Sequence, residues 1–169
     1  MVSGGQAGII VQLSISPGGL PKRAIPEGFV ASLGVEGDKH RHPQIHGGPR
    51  KAILIVAAEV IEDLQQRGYP LFFGAMGENF TTRGIDYRQL RIGDRLRAGG
   101  AVIEITQPRG PCAALDVYGP SIKDEVYDAR VKAKDPTSPR WGMSGLYCSV
   151  VEPGPVGEGD IIAVVAQLA

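Results

Sequence analysis

The sequence predicts a β-rich fold (mainly β or α+β), built as a small β-barrel with a few short peripheral helices. Short apolar or alternating segments of strand length recur along the whole chain. The 24 glycines and 13 prolines supply frequent tight turns between these segments. Residues 92–96 and 156–162 each place Gly-Asp just before an apolar run, which is typical of turns that lead into barrel strands.

Six segments have the pattern of a strand. Residues 9–15 alternate between apolar and polar, as a half-buried strand does, whereas residues 52–56 are apolar throughout and are predicted to be buried on both faces. The other four are residues 29–33, 101–105, 146–150 and 161–165. Residues 20–26 are predicted to be a connection and residues 74–84 a loop rich in glycine.

Two regions have helical periodicity. Val60, Ile61 and Leu64 fall on one side of a helix that Gly68 would end. Later, Ser121 and Asp124 have the spacing of a capping box, and an apolar stripe follows at Ile122, Val126, Ala129 and Ala133. Because no linker or low-complexity segment interrupts the pattern, residues 1–169 are predicted to form one domain.

The composition indicates a soluble protein without a bias toward charged polymers. Eighteen basic and 18 acidic residues balance, so neither nucleic acid nor a membrane is an expected partner. The longest apolar run, residues 52–58, is far shorter than the about 20 residues of a membrane span. The N-terminus lacks the features of a signal peptide, so a cytoplasmic location with reduced thiols is expected.

Residues 106–112, which read Thr-Gln-Pro-Arg-Gly-Pro-Cys, are the first candidate for chemistry. Proline restricts this backbone, so the Cys112 thiol and the Arg109 guanidinium are predicted to be held just past a strand end. A nearby cation favours the thiolate, which is a soft metal ligand. The alternative is that Cys112 is a small packing residue, the role we expect for Cys148 on its apolar strand.

A basic segment, residues 39–51, holds no acidic residue and is the second candidate. Gly47 and Gly48, beside Arg50 and Lys51, could let main-chain N–H groups approach an oxyanion. The segment could equally be a solvated basic loop. Its three histidines could also bind zinc, although this is the weakest of the three interpretations: His40, His42 and His46.

The turn at residues 77–79 is the third candidate. The Asn79 amide could form hydrogen bonds with a polar heterocycle, or it could close an Asx-turn.

Taken in order, these motifs resemble those of the MOSC domain family, named for the C-terminal domain of molybdenum cofactor sulfurases. The motifs are Gly37-Asp38, His46-Gly47-Gly48-Pro49 with Lys51-Ala52, Gly77-Glu78-Asn79-Phe80-Thr81, Ile92-Gly93-Asp94, and the segment from Val102 to Cys112. The resemblance implies a β-barrel-like fold and binding of the molybdenum cofactor, a pterin dithiolene with a phosphate. It extends over nearly the whole chain.

The resemblance also implies roles for single residues. Cys112 would ligate molybdenum or carry sulfur. The pterin or its phosphate would be faced by Arg109, His46, Gly47, Gly48, Lys51 and Asn79. The implied activity is the reduction of N-hydroxylated compounds, such as hydroxylamino-purines, as small-molecule substrates.

Two cysteines cannot hold an iron–sulfur cluster that needs four, so the electrons for such a reduction would come from an external partner. The alternative function is a carrier without turnover, in which a cysteine desulfurase loads a persulfide onto Cys112.

Overall fold

The structure is a computed structural model that describes residues 5–39 and 47–166. Eleven strands and three α-helices are present in this part of the chain. The strands are β1 Ala7–Ile15, β2 Arg23–Ile25, β3 Glu27–Ala31, β4 Gly34–Val35, β5 Ile53–Ala57, β6 Phe80–Arg83, β7 Arg95–Ala98, β8 Ala101–Pro108, β9 Leu146–Glu152, β10 Gly154–Gly157 and β11 Ile161–Ala166. The helices are α1 Ala58–Gln66, α2 Ile122–Val126 and α3 Ala129–Lys132, and three 3-10 helices cover Pro49–Lys51, Tyr87–Gln89 and Ala113–Tyr118.

The main sheet closes on itself. Its strand order is β11-β7-β8-β9-β5-β6-β1-β2, and β1 also pairs with β11, so seven strands form a barrel and β2 extends the edge of β1. β5 and β6 are parallel, with α1 in the crossover between them, and the other neighbours in this sheet are antiparallel. A second, three-stranded sheet has the order β10-β3-β4. The prediction of a β-rich barrel is confirmed.

Strand β5 separates two apolar cores, which explains its unbroken apolar sequence. Ile53 and Ile55 point into the barrel, and Leu54 and Val56 point outward under α1 and α2. All five residues of β5 are buried. The outer core also contains Leu115, which follows the Cys112 segment. The same strand therefore holds the barrel and the outer layer in fixed relation.

Two of the sequence predictions were wrong because the strands concerned are short. Residues 20–26 contain β2, and the predicted loop 74–84 contains β6. β6 carries Thr81 and Thr82 instead of apolar residues, and both are buried because their hydroxyls find partners in Glu78 and Tyr87. A hydrophobicity pattern does not detect a polar strand of four residues.

The predicted capping box was also wrong. Ser121 stands at the N-cap position of α2, but its side chain forms no capping hydrogen bond, and its hydroxyl lies 2.9 Å from that of Tyr69. The extended backbone of Tyr127 divides the predicted helix into α2 and α3. Asp128 then caps α3 by accepting a hydrogen bond from the Val131 N–H. No helix in the described part of the chain is long and apolar enough to cross a membrane.

Candidate functional site

The segment after β8 holds Cys112 in a fixed backbone conformation. The Arg109 N–H donates to Gly145 O at 2.8 Å, and the Ser144 hydroxyl donates to Arg109 O. Cys112 is extended, with φ −96° and ψ 168°, and directly precedes the 3-10 helix Ala113–Tyr118. Its carbonyl accepts from the N–H of the buried Leu115 at 3.1 Å. The predicted rigidity therefore comes from hydrogen bonds as well as from proline.

The two cysteines are in different environments. Cys112 is a free thiol that is partly exposed. Cys148 is fully buried in the barrel core, and this burial raises the pKa of its thiol far above its usual value. The prediction that Cys148 is a packing residue is confirmed, and Cys112 is the accessible thiol of the pair.

The Arg109 guanidinium is buried and joins separate segments of the chain. It donates to Met76 O at 2.8 Å and to Ser144 O at 3.2 Å. Its charge also acts on Glu78 and on Tyr147. The Arg109 side chain thus connects the segment that contains Cys112 to two turns, the one before β6 and the one before β9. These contacts form without any ligand. A contact with a pterin remains a prediction.

Glu78 organises the turn that precedes β6. Its carboxylate is fully buried and accepts hydrogen bonds from Gly74 N (3.0 Å), Met76 N (3.2 Å) and Thr81 Oγ1 (2.8 Å). Burial raises the pKa of Glu78, whereas these hydrogen bonds and the charge of Arg109 oppose the rise. The glutamate of the Gly-Glu-Asn motif therefore stabilises the backbone of this turn.

The Asn79 amide connects β1, β5 and Asp38. Its Oδ1 accepts from Leu54 N at 3.1 Å, and its Nδ2 donates to Ser14 O at 3.2 Å and to Asp38 Oδ2 at 2.8 Å. This is a long-range bridge and not an Asx-turn. Because both amide N–H groups are used within the protein, a hydrogen bond from them to a heterocycle would require one of these contacts to break. The prediction that Asn79 faces the cofactor remains untested.

Asp38 forms a buried ion pair with Lys22 in the same network. The Lys22 ammonium lies 2.7 Å from Asp38 Oδ1, and the two side chains are only 6% and 2% exposed. Asp38 Oδ1 also accepts from Ser16 N at 2.9 Å. The Gly-Asp motif therefore fixes the chain at the point where it leaves β4 and approaches the basic segment.

Gly47 and Gly48 lie at the edge of the site, and Gly48 has the left-handed φ of 96°. A Cβ at Gly48 would meet no atom of the described residues within 4 Å, so none of those residues covers the main chain on that side. Gly48 O accepts from Lys51 N at 3.1 Å in the 3-10 helix Pro49–Lys51. His46 lies outside the described residues, as do His40 and His42 of the zinc hypothesis. Among the described residues, no group of three or more His, Cys, Asp or Glu side chains could hold a metal ion.

Tyr147 contacts one of the predicted site residues, Lys51, and sequence reasoning missed it. The Lys51 ammonium lies 5.3 Å from the centroid of its ring. Burial raises the pKa of Tyr147, the charge of Arg109 opposes the rise, and the charge of Cys112 adds to it. The alternation of β9 could have placed Tyr147 on the face opposite Cys148, but nothing in the sequence indicated what lies there.

In this site the Lys51 ammonium lies over the ring of Tyr147 on β9, and the paired strand β8 leads into the segment that holds Arg109 and Cys112. Asn79 is connected to Tyr147 through Leu54. The Leu54 N–H donates to Asn79 Oδ1, and Leu54 is paired with Tyr147 between β5 and β9. The MOSC domain model matches residues 42–163, which is more than half of the chain. The chain belongs to the MOSC domain family. The family resemblance of the sequence is thereby confirmed, whereas the extent of the domain over residues 1–169 remains a prediction.

Three curated relatives are similar to this MOSC chain. The uncharacterized protein YflK of Bacillus subtilis (strain 168) is 35% identical over 135 residues, which cover 78% of this chain and 56% of YflK. Protein YiiM of Escherichia coli (strain K12) is 28% identical over 149 residues, covering 83% of this chain and 60% of YiiM. A protein named "Reductase" from Gibberella moniliformis (strain M3125 / FGSC 7600) is 27% identical over 147 residues, covering 82% of this chain and 24% of that protein. The chain thus spans less than two-thirds of each relative.

A solved structure supports the architecture. The crystal structure of YiiM from Geobacillus stearothermophilus matches with a TM-score of 0.71 at 24% identity, over 95% of this chain and 76% of that one. At this identity the match is evidence for the fold alone.

The buried Lys22–Asp38 pair provides a test of the network behind the site. Lys22→Met leaves the Asp38 carboxylate buried without its cation, so the free energy of unfolding in urea should fall by about 3–5 kcal/mol. Lys123→Met, which breaks an exposed pair with Asp116, is the control and should cost less than about 1 kcal/mol. Equal losses in the two variants would contradict the importance of the buried pair.

Glu78 predicts a pH-dependent stability. Because its pKa is raised in the folded protein, the folded state binds more protons than the unfolded state just above the usual pKa of 4.5. The contribution of Glu78 to stability should therefore fall as the pH rises through this window and level off above the folded-state pKa. Urea unfolding of wild type and Glu78→Gln from about pH 4 to pH 8 measures the difference. A difference independent of pH would contradict the assignment.

Proposed function

We propose that this protein binds the molybdenum cofactor, with Cys112 as the metal ligand, and reduces N-hydroxylated compounds. The observation that carries the proposal is the partly exposed Cys112 thiol, in a segment that hydrogen bonds of the Arg109 main chain hold in place. Membership of the MOSC family supports a function related to this cofactor. The relative from Gibberella moniliformis that is named a reductase supports the reaction class.

The residues present fit such a cofactor. A thiolate is a soft donor, which suits a molybdenum centre better than the oxygen ligands preferred by hard cations. Gly48 leaves its main chain open next to Lys51, so an anionic group such as a phosphate has both space and a cation. Arg109 and Glu78 fix the turns around the thiol and would keep its position when the cofactor binds.

When bound, the cofactor would supply a redox-active metal that passes two electrons to the substrate. In the overall reaction the N–O bond breaks, the oxygen leaves as water, and two electrons and two protons are consumed. The electrons come from an external donor protein, because the two cysteines of this chain cannot hold a cluster. The chain itself would hold the metal through Cys112 and would neutralise negative charge through Lys51, and Arg109 keeps the surrounding turns in place. We expect this reaction to occur in the cytoplasm, on a small molecule and without nucleic acid or membrane as partner.

Molybdenum content tests the ligand assignment. Cys112→Ser, expressed with cofactor supply, should retain at most roughly one-tenth of the molybdenum of the wild type, because a soft ligand is replaced by a hydroxyl. Cys148→Ala is the matched control and should retain the metal, because Cys148 lies in the barrel core. Plasma mass spectrometry of the purified proteins gives the ratio. Equal metal in wild type and Cys112→Ser would refute the assignment.

A carrier function is the second candidate, and the partial exposure of Cys112 favours it because a donor enzyme could reach the thiol. In that case a cysteine desulfurase would load a persulfide onto Cys112, and this protein would have no turnover of its own. The intact mass after incubation with desulfurase and cysteine should then rise by about 32 Da, one sulfur atom, in wild type and not in Cys112→Ser. A wild-type mass that stays unchanged would exclude the carrier.

A further inference from the structure

We infer that a cleft beside the start of α1 binds a small organic cation with an apolar body, such as an arylalkylamine. The cleft has a volume of about 510 Å³ and is lined by residues from three segments, 57–60, 84–88 and 139–143. A volume of this order is typical of sites for small molecules. Among the described residues that line it are neither Cys112 nor Arg109. The inference therefore does not rest on the proposed function.

The first observation is a fixed, mainly apolar lining. Tyr87 and Trp141 line the cleft, and both side chains are buried. Their polar atoms have partners inside the protein: the Tyr87 hydroxyl lies 2.7 Å from Thr82 Oγ1, and the Trp141 indole N–H donates to Leu90 O at 2.8 Å. These bonds hold the two rings in place. Apolar residues complete the lining: Ala57, Val60, Ile85, Pro139 and Met143.

The second observation is a carboxylate at the wall of this cleft. Glu59 Oε2 accepts a hydrogen bond from Gly84 N at 2.9 Å, and both residues line the cleft. Within the described ranges, no lysine or arginine forms an ion pair with Glu59, and Arg83, which precedes Gly84, pairs with Glu62 at 2.7 Å instead. The hydrogen bond therefore positions a carboxylate whose charge has no protein counter-ion.

The charges at the cleft define the ligand class. Asp86, a second carboxylate there, is bound on both oxygens by the Arg88 guanidinium at 3.1 Å, so this pair is neutral. The charge of Glu59 is the one left over among the described residues that line the cleft. An ammonium group could donate a charge-assisted hydrogen bond to the Glu59 carboxylate while its apolar body covers the apolar lining. A neutral or anionic molecule of the same size lacks that interaction.

Titration of the full-length protein with three probes tests the ligand class. Trp141 is the only tryptophan of the chain and lines the cleft, so its fluorescence reports occupation of the cleft directly. Phenethylamine should change this fluorescence in a saturable way. Ethylamine lacks the apolar body and phenylacetate carries the opposite charge, so each should bind at least about tenfold more weakly.

Two matched variants of α1 test the role of Glu59. Glu59→Gln keeps an oxygen that can accept from Gly84 N and removes only the charge, so the dissociation constant for phenethylamine should rise about tenfold. Asp63→Asn is the control, because Asp63 pairs with Arg67 at the exposed surface and is not among the residues that line the cleft. It should bind phenethylamine as the wild type does.

The inference is overturned if phenethylamine causes no saturable change in the wild type, if ethylamine or phenylacetate binds as tightly, or if Glu59→Gln binds phenethylamine as tightly as Asp63→Asn does. The molybdenum content of the cofactor-loaded wild type decides the proposed function separately. Amine binding without cofactor uptake would preserve the cleft as a site and refute the function, and cofactor uptake without amine binding would do the reverse.

Discussion

Two buried carboxylates, Asp38 and Glu78, are the constraint on which the rest of the site depends. Burying a carboxylate away from water costs free energy unless hydrogen bonds or an ion pair compensate, and each of these two is surrounded by donors. Asp38 accepts hydrogen bonds from Lys22, Asn79 and a main-chain N–H. Glu78 accepts them from two main-chain N–H groups and a threonine hydroxyl. The donors to Asp38 come from distant segments and those to Glu78 from its own turn, so satisfying the two carboxylates fixes both the long-range connection and the turn that precedes β6.

In the same arrangement, the residues that hold the site together differ from those available to a ligand. Arg109 uses its guanidinium to bind the carbonyls of Met76 and Ser144, so it holds the site together in the absence of any ligand. The thiol of Cys112, which is partly exposed, remains available to a ligand. A preorganised shell of this kind limits the movement needed when a cofactor binds.

The two apolar cores explain why the site lies where it does. β5 is shared between the barrel interior and the outer layer, and its neighbour β9 carries Cys148 inward and Tyr147 outward. The Cys112 segment is connected to the outer layer through the buried Leu115. Cys112 therefore lies where the barrel strand β8 leads into the outer layer, and its thiol is partly exposed.

The sequence by itself determined the β-rich barrel, the buried strand β5, the packing role of Cys148 and the family, because alternation, apolar runs and motif order are local properties. It missed β2 and β6, whose stability comes from pairing with β1 and not from their own composition. Only the tertiary structure decided that Asn79 bridges strands and that Lys51 lies over the ring of Tyr147. Those roles depend on which distant groups meet, and a local pattern carries no such information.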